Sequence, residues 1–262
     1  MSESNTAKSF IKGTVVLIVW IGIWALASRK VGQELLIPSP AVVLQHLIAI
    51  VKGGTFFKIL STSLLRVLGG FISGCLFGVI IAVLSALSEW LTALLRPIVR
   101  IASSVPVTSF SILAMLWIPY TYVPVFIAGL LVTPLIYGNV TTGINETDKG
   151  LLEVGRVYRF GRMKTLKYIY IPSVLPYFYS GAVTALGLAW KAGVAAEVLS
   201  LPKNAVGAQM YYSKLYLETA DLFAWTVVVV LFSYLFEKLV QLFMQRRKSR
   251  ESRENREESY ED

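Results

Sequence analysis

The residue types that usually carry catalysis or metal binding are scarce in this 262-residue chain. His46 is its only histidine, and Cys75 is its only cysteine. One histidine cannot build a metal site, and one cysteine excludes an internal disulfide and a cysteine-ligated metal. His46 is therefore predicted to lie at the surface, and Cys75, within an apolar run, to be a buried and unreactive thiol. A single histidine also cannot supply the side-chain clusters of an intramembrane enzyme, so a role without catalysis or a resident cofactor is favoured.

The composition indicates a chain that resides in lipid. Hydrophobic residues make up 55% of it and charged residues only 16%, with a mean hydropathy of +0.62. Soluble domains carry about a quarter charged residues, and a soluble protein of this length could not bury so much apolar side chain. The net charge of +9 does not indicate nucleic-acid binding, because the basic residues are not gathered on one aromatic-rich face.

Six apolar stretches predict an all-α polytopic membrane protein. Each is close to the roughly 20 helical residues that a bilayer core requires, and the absence of strict alternation favours helices over barrel strands. The predicted spans are Phe10–Ala27, Leu64–Leu87, Ile98–Ile118, Val123–Val140, Pro172–Val194 and Leu222–Met244. We therefore expect a first helix and external segment over residues 1–60, a transmembrane domain over 61–245, and a disordered cytoplasmic tail over 246–262.

The first span has two interpretations. Lys8 and Lys12 precede it and Ala25-Leu26-Ala27 resembles a cleavage site, as in a signal peptide. Trp20 and Trp24 instead suit an interfacial anchor, so an uncleaved helix is expected. With the N-terminus inside, 16 Lys and Arg residues fall on the cytoplasmic side and seven on the other, which predicts that both termini are cytoplasmic. A short amphipathic helix is predicted outside, after Pro38-Ser39-Pro40.

Small residues and prolines mark the interior of the predicted bundle. Gly70, Gly74 and Gly78 are spaced by four residues in span two, which predicts a close helix–helix packing surface. Prolines interrupt spans three and four, and broken helices are tolerated where they border a cavity or packed protein. These prolines are Pro106, Pro119, Pro124 and Pro134.

Two ionisable residues, Lys191 and Glu197, lie near the outer end of span five. Charges at this depth are costly, and six residues is just under two helical turns, so pairing along the helix is marginal. One interpretation places both residues, with Pro106, in a translocation path between spans three, four and five or in an outer gate. The alternative is that both side chains extend to the membrane surface.

The cytoplasmic loop Thr141–Ile171 contains a predicted short amphipathic helix. Its apolar positions fall on one face and are Leu151, Leu152, Gly155 and Tyr158. Glu153, Arg156 and Arg159 lie on other faces. Such a helix has nothing of its own to cover, so we expect a groove on a second protein; lying flat on the membrane is the alternative. Pro172 and Pro176 mark the predicted start of the next span, because proline is tolerated only in a helix's first turn.

These motifs together resemble the permeases of binding-protein-dependent ABC importers, most closely the aliphatic sulfonate, nitrate and taurine subfamily. Leu152-Glu153-Val154-Gly155-Arg156, then Gly161 and Ile171–Pro176, is similar to the "EAA" loop of that family. Further matches cover most of the chain and include Leu36–Pro40, Ser63–Val67 with the three glycines, Val105-Pro106-Val107, Leu113–Trp117 and Ala195-Ala196-Glu197.

Two departures from the family pattern concern the loop. Val154 and Gly155 replace the two alanines that give the loop its name. The glycine expected six residues after Glu153 is Arg159, with Gly161 two residues later. The position of the turn that ends the loop helix therefore stays open.

The resemblance implies a type I ABC importer transmembrane domain whose loop helix couples it to ATPase subunits. The implied coupling residues are Leu151, Leu152, Glu153, Gly155, Tyr158, Gly161, Pro172 and Pro176. The implied partners are an ABC ATPase dimer, a second copy or paralogous permease, an extracytoplasmic solute-binding protein and membrane lipid. The chain has no G-x-x-x-x-G-K-[ST] phosphate loop, so ATP and Mg would be bound by the separate ATPase.

The cargo suggested by the resemblance is a small anion such as a sulfonate, taurine or nitrate. Relatives that carry a thiamine-precursor pyrimidine, riboflavin or another heterocycle provide the alternative. A secondary transporter is less well supported, because the sequence contains no evident internal repeat with paired discontinuous helices.

Overall fold

A computed structural model describes residues 2–104, 106–236 and 238. Eleven α-helices and one π-helical turn account for most of these described residues. They are α1 (Ser2–Val31), α2 (Pro40–Lys52), α3 (Phe56–Leu87), α4 (Glu89–Ser104), α5 (Val107–Trp117), α6 (Val123–Asn145), α7 (Lys149–Val157), α8 (Arg162–Thr165), the π turn (Leu166–Tyr170), α9 (Ile171–Ser200), α10 (Val206–Leu215) and α11 (Thr219–Phe236). The predicted tail and the end of the predicted last span lie outside the described residues.

Among the described residues, five helices are long and apolar enough to cross a membrane, or six if α4 and α5 form one broken span. The interruption of span three at Pro106 is confirmed, because α4 and α5 are separate helices bent by 107°. The predicted start of this span at Ile98 is wrong, since α4 begins at Glu89. Pro106 sits in the break with extended backbone (φ −59°, ψ 135°), where its fixed φ and missing N–H do no damage. The predicted interruption at Pro134 is also wrong, because α6 continues through it.

The glycine stripe of α3 packs directly against α6, as predicted. A Cβ added to Gly74 would lie 2.6 Å from Val132 Cβ, and one added to Gly78 would lie 2.7 Å from Ile136 Cβ. Both helices advance by four residues between these contacts, so α3 and α6 run parallel. Two parallel spans require the chain between them to cross the membrane once. The bent α4–α5 pair is therefore a broken span.

Helix α9 runs antiparallel to α3 and α6 and completes the centre of the bundle. Gly181 of α9 faces Asn139 of α6, whereas Gly193 faces Val67 of α3, where an added Cβ would approach Val67 Cγ2 to 2.6 Å. Helix α11 covers α9 from the side, since Trp190 donates its indole N–H to the Val229 carbonyl at 3.0 Å. Glycine and alanine at the contacts let the backbones approach closely. The resulting van der Waals contacts hold the helices together in lipid, where the hydrophobic effect does not drive helices to associate.

Helix α1 lies along the outside of the bundle, and most of the apolar residues in its part from 12 to 31 are exposed. Its end is fastened by Trp24, which stacks on Phe223 with ring centroids 5.9 Å apart and donates to the Pro38 carbonyl at 3.1 Å. Helix α2 follows as predicted, capped by Ser39. The predicted boundary at residues 60 and 61 falls inside α3, which begins at Phe56.

The single histidine and the single cysteine both occupy structural positions. His46 is exposed, as predicted, and its Nδ1 lies 2.6 Å from a carboxylate oxygen of Asp221 at the start of α11. Cys75 is half-buried rather than fully buried, because it lies beside the glycine stripe and only one side of it reaches the core.

Candidate functional site

The predicted loop helix exists as α7, and its first turn is capped. The Asp148 carboxylate accepts a hydrogen bond from the Gly150 N–H at 2.7 Å, which satisfies one of the backbone donors that a helix start leaves free. The helix is only nine residues long. A helix this short is marginal alone, so its stability depends on what it packs against.

The turn that ends α7 is centred on Arg159. This residue has a left-handed backbone with φ +52°. The Phe160 N–H donates to the Gly155 carbonyl at 2.8 Å, and the Arg159 N–H donates to the Arg156 carbonyl at 3.0 Å. These two bonds define a Schellman turn. The turn is therefore at the position where the family pattern expects a glycine, and Gly161, with φ −69°, leads into α8.

Gly155 is the inward anchor of α7. It is buried, and an added Cβ would lie 2.9 Å from Ile169 Cδ1. Ile169 is itself buried, with 5% of its surface exposed, and belongs to the π turn that leads into α9. Helix α7 therefore rests directly on the beginning of the longest helical segment in the described chain.

The predicted apolar face of α7 divides into two. Leu152 is half-buried and Gly155 buried, so they face the protein. Leu151 and Tyr158 face outward with Glu153, together with Val154 and Val157, which the sequence pattern did not single out. The outward apolar side chains are exposed by 49% (Leu151), 50% (Val154), 79% (Val157) and 73% (Tyr158).

The predicted start of span five at Pro172 and Pro176 is wrong in position. Helical backbone runs without a break from Arg162 to Ser200, so Pro176 lies inside a helix. The π turn just before Pro172 explains how Pro172 is tolerated within this continuous helix: the Ile171 N–H bonds to the Leu166 carbonyl, five residues back. This wider turn gives the proline ring room where an ordinary α-turn would clash.

Glu197 forms the centre of a buried polar cluster at the other end of α9. Its side chain has no exposed surface. Its Oε2 accepts hydrogen bonds from Ser63 Oγ at 2.8 Å and from the Gly207 N–H at 3.1 Å. Its Oε1 lies 3.5 Å from Nη1 of Arg66. The cluster joins α3, α9 and the start of α10, so the surface-extension interpretation of Glu197 is wrong.

Arg66 is fully engaged by the same cluster. Its Nη2 donates to the Lys203 carbonyl at 2.9 Å, and its Nη1 reaches the Asn204 carbonyl at 3.4 Å. Lys191, by contrast, is exposed. Sequence reasoning missed Arg66 as the partner of Glu197 because they are 131 residues apart. The only available signal was one arginine in the otherwise apolar start of span two.

The fold and the loop are those of an importer permease. The chain belongs to the family of binding-protein-dependent transport system inner membrane components, whose match covers residues 74–249. It is thus the multi-pass permease subunit of an ABC transport system.

Individual relatives agree with this assignment. The permease SsuC of Bacillus subtilis, whose name refers to aliphatic sulfonates, is 26% identical over 89% of this chain and 85% of its own length. The nitrate import permease NrtB of Synechococcus elongatus is 30% identical over 73% and 72%. A crystal structure of an amino acid ABC transporter matches the fold with a TM-score of 0.65 at 17% identity, covering 76% of this chain and 98% of that one.

Proposed function

We propose that this permease imports a small anion such as a sulfonate, taurine or nitrate, driven by ATP hydrolysis in a separate ATPase. The two relatives described above are named for sulfonate and nitrate, and they support an anionic cargo over a heterocycle such as riboflavin or a thiamine-precursor pyrimidine. ATP and Mg would be held by the ATPase dimer, and an extracytoplasmic solute-binding protein would deliver the cargo. A second copy or a paralogous permease completes the pathway.

The observation that carries this proposal is the outward face of α7. Three exposed apolar side chains on a nine-residue helix, with Tyr158 at its C-cap, are the kind of anchors that a helix uses in a groove of another protein. The opposite face is fixed by Gly155 on Ile169. A push on α7 would therefore be passed through the π turn to α9, so the ATPase can bias the bundle between two states through one rigid contact.

The path for the cargo is proposed to run between α5, α6 and α9. Pro106 opens the backbone between α4 and α5, and Lys191 offers an exposed cation on α9 for an anionic solute. Glu197 serves the outer gate by holding the outer end of α9 to α3 and α10. Glu197 does not contact the cargo in this proposal, because the Glu197 carboxylate is enclosed by protein.

The proposed orientation places α7 and both termini in the cytoplasm. The connections on the α7 side carry most of the Lys and Arg residues, which favours the inner side of the membrane.

The coupling assignment is tested with two variants of α7, Glu153→Lys on its outward side and Gly155→Asp on the side that packs on Ile169. We expect both to insert normally into the membrane but to lose co-purification with the ATPase and ATP-dependent uptake into proteoliposomes. Gly22→Ala in α1 is the control, because an added Cβ there meets nothing within 4 Å and the residue lies outside the loop. Wild-type uptake by both variants, or uptake by this chain without an ATPase, would overturn the assignment.

The cargo class is tested on the solute-binding protein that co-purifies with the complex. Thermal-shift measurements with taurine, an alkyl sulfonate, nitrate and riboflavin should give stabilisation by an anion. Stabilisation by riboflavin alone contradicts the proposed cargo but leaves the coupling assignment intact.

A further inference from the structure

An apolar groove opens between the ends of α3, α6 and the α8–α9 helix on the α7 side of the bundle. Its volume is about 490 Å³, and its walls are almost entirely hydrocarbon. Val79, Val83 and Ala86 of α3 form one wall, and Ile144, Leu166 and Phe178 contribute to the others. The groove lies within roughly the last 12 Å of α3, at 1.5 Å per residue.

The groove begins where the glycine stripe of α3 ends. Gly78 is the last of the three stripe glycines in contact with α6, and Val79, Val83 and Leu87 line the groove beyond it. At the outer end, α3 and α9 are held together through Gly193 and the Glu197 cluster. These links between α3 and α9 lie at the outer end, and the groove opens at the opposite end, on the α7 side, which is the inner leaflet in the proposed orientation.

A basic rim borders this groove. Arg162 precedes the groove-lining Leu166 by four residues on one continuous helix, so it lies on the same face, one turn beyond the groove. Lys164 and Lys167 are exposed on the same helix. Lys167 also places its Nζ 5.5 Å from the ring centroid of Tyr168, an aromatic residue suited to the headgroup depth.

The first charged residue after the α3 wall and after the α6 wall is in each case a carboxylate. Glu89 follows the α3 wall and Glu146 follows the α6 wall. A negatively charged headgroup would therefore be attracted to the α8 side and repelled from the other two, which gives the groove a defined orientation for an amphiphile.

We propose that the groove binds an anionic phospholipid of the inner leaflet, with an acyl chain between Val83 and Phe178 and its phosphate at Arg162. An acyl chain supplies the dispersion contacts that an unfilled apolar groove lacks. Basic pockets between transmembrane helices on the cytoplasmic side suit acidic headgroups, and each nearby Lys or Arg strengthens membrane attraction by about 1 kcal/mol, or about five-fold. A zwitterionic lipid would fill the groove but gain little from the rim.

The test uses the purified full chain, equilibrated with equal amounts of phosphatidylglycerol and phosphatidylcholine, with retained lipid counted by native mass spectrometry. We expect wild type to retain phosphatidylglycerol preferentially. Arg162→Gln should lower phosphatidylglycerol retention about five-fold and leave phosphatidylcholine unchanged. Ala86→Trp, which fills the groove from an exposed position, should reduce retention of both lipids. Arg96→Gln removes an exposed cation of α4 on the same side and should behave as wild type.

Equal retention of both lipids by wild type would reduce the groove to a nonspecific hydrocarbon contact and overturn the proposal. The proposal also fails if Arg162→Gln keeps the wild-type preference, or if Arg96→Gln loses as much phosphatidylglycerol as Arg162→Gln. Size-exclusion profiles of the variants separate loss of lipid from loss of fold. Because no ATPase or cargo is used, the outcome is independent of the proposed transport function.

Discussion

Glu197 is a charged side chain with no exposed surface, and its partners explain how it is tolerated. Burying a carboxylate without partners would cost several kcal/mol, but this one accepts two hydrogen bonds and faces a guanidinium at 3.5 Å. Arg66 in turn is satisfied by two loop carbonyls. The Arg66–Glu197 pair therefore has a structural role, because it fixes where α3, α9 and the start of α10 meet.

Removing both members of this pair should destabilise the protein by less than the sum of the two single removals. We expect Glu197→Ala or Arg66→Met to cost about 3–5 kcal/mol, because the first leaves a partly buried guanidinium without its anion and the second leaves a fully buried carboxylate without its cation. The double variant should cost clearly less than the sum of the two. Thermal unfolding in detergent measures this cycle, with the exposed Lys203→Met as the control. Additive costs would mean that the two groups do not interact.

The left-handed residue at the end of α7 makes a second prediction at the same scale. A side chain at φ +52° costs about 1–2 kcal/mol relative to glycine, partly offset by the greater chain entropy of glycine. Arg159→Gly should therefore slow hydrogen exchange of the α7 amides, and Arg159→Val should speed it. Gly161→Ala, at φ −69°, should leave exchange unchanged. Faster exchange in Arg159→Gly would refute the strain argument.

At the scale of elements, α3 and α6 are joined by backbone approach rather than by interlocking large side chains. A Cβ on Gly74 would lie 2.7 Å from the Gly129 carbonyl oxygen, which is backbone and cannot rotate away. On Gly69, in the same helix but off the stripe, it would lie 3.8 Å from Val125 Cγ1, an ordinary contact. The stripe face of α3 therefore has no room for a Cβ, whereas the neighbouring face at Gly69 does.

Gly74→Ala and Gly69→Ala form the matched test of this interface. We expect Gly74→Ala to destabilise the protein by about 1–3 kcal/mol through overpacking and Gly74→Leu to prevent assembly. Gly69→Ala should be close to neutral. Thermal unfolding and yield of folded protein from membranes report both effects. Equal behaviour of the two alanine variants would show that close approach along the stripe does not matter.

At the scale of the whole molecule, features that depend on local sequence pattern were predictable, whereas features that depend on contacts between distant elements were not. The Gly70–Gly78 spacing and the α7 periodicity were readable from sequence because they depend on residues a turn or two apart. The pairing of Arg66 with Glu197, the turn at Arg159 and the continuation of helix through Pro176 were not. Each depends on a contact or backbone state imposed by another element, so neighbouring residues carry no sign of it.

The parallel arrangement of α3 and α6 makes a prediction about the entire topology. If α4 and α5 form one broken span, residues 88 to 90 and residues 118 to 122 lie on opposite sides of the membrane. In a Cys75→Ser background, a membrane-impermeant thiol reagent should label Tyr120→Cys in intact cells but label Glu89→Cys only after the membrane is opened. Both native side chains are exposed, so access to the reagent depends on the side of the membrane alone. Labelling of both from outside would make the pair a re-entrant loop, which the parallel register of Gly74 on Val132 and Gly78 on Ile136 forbids.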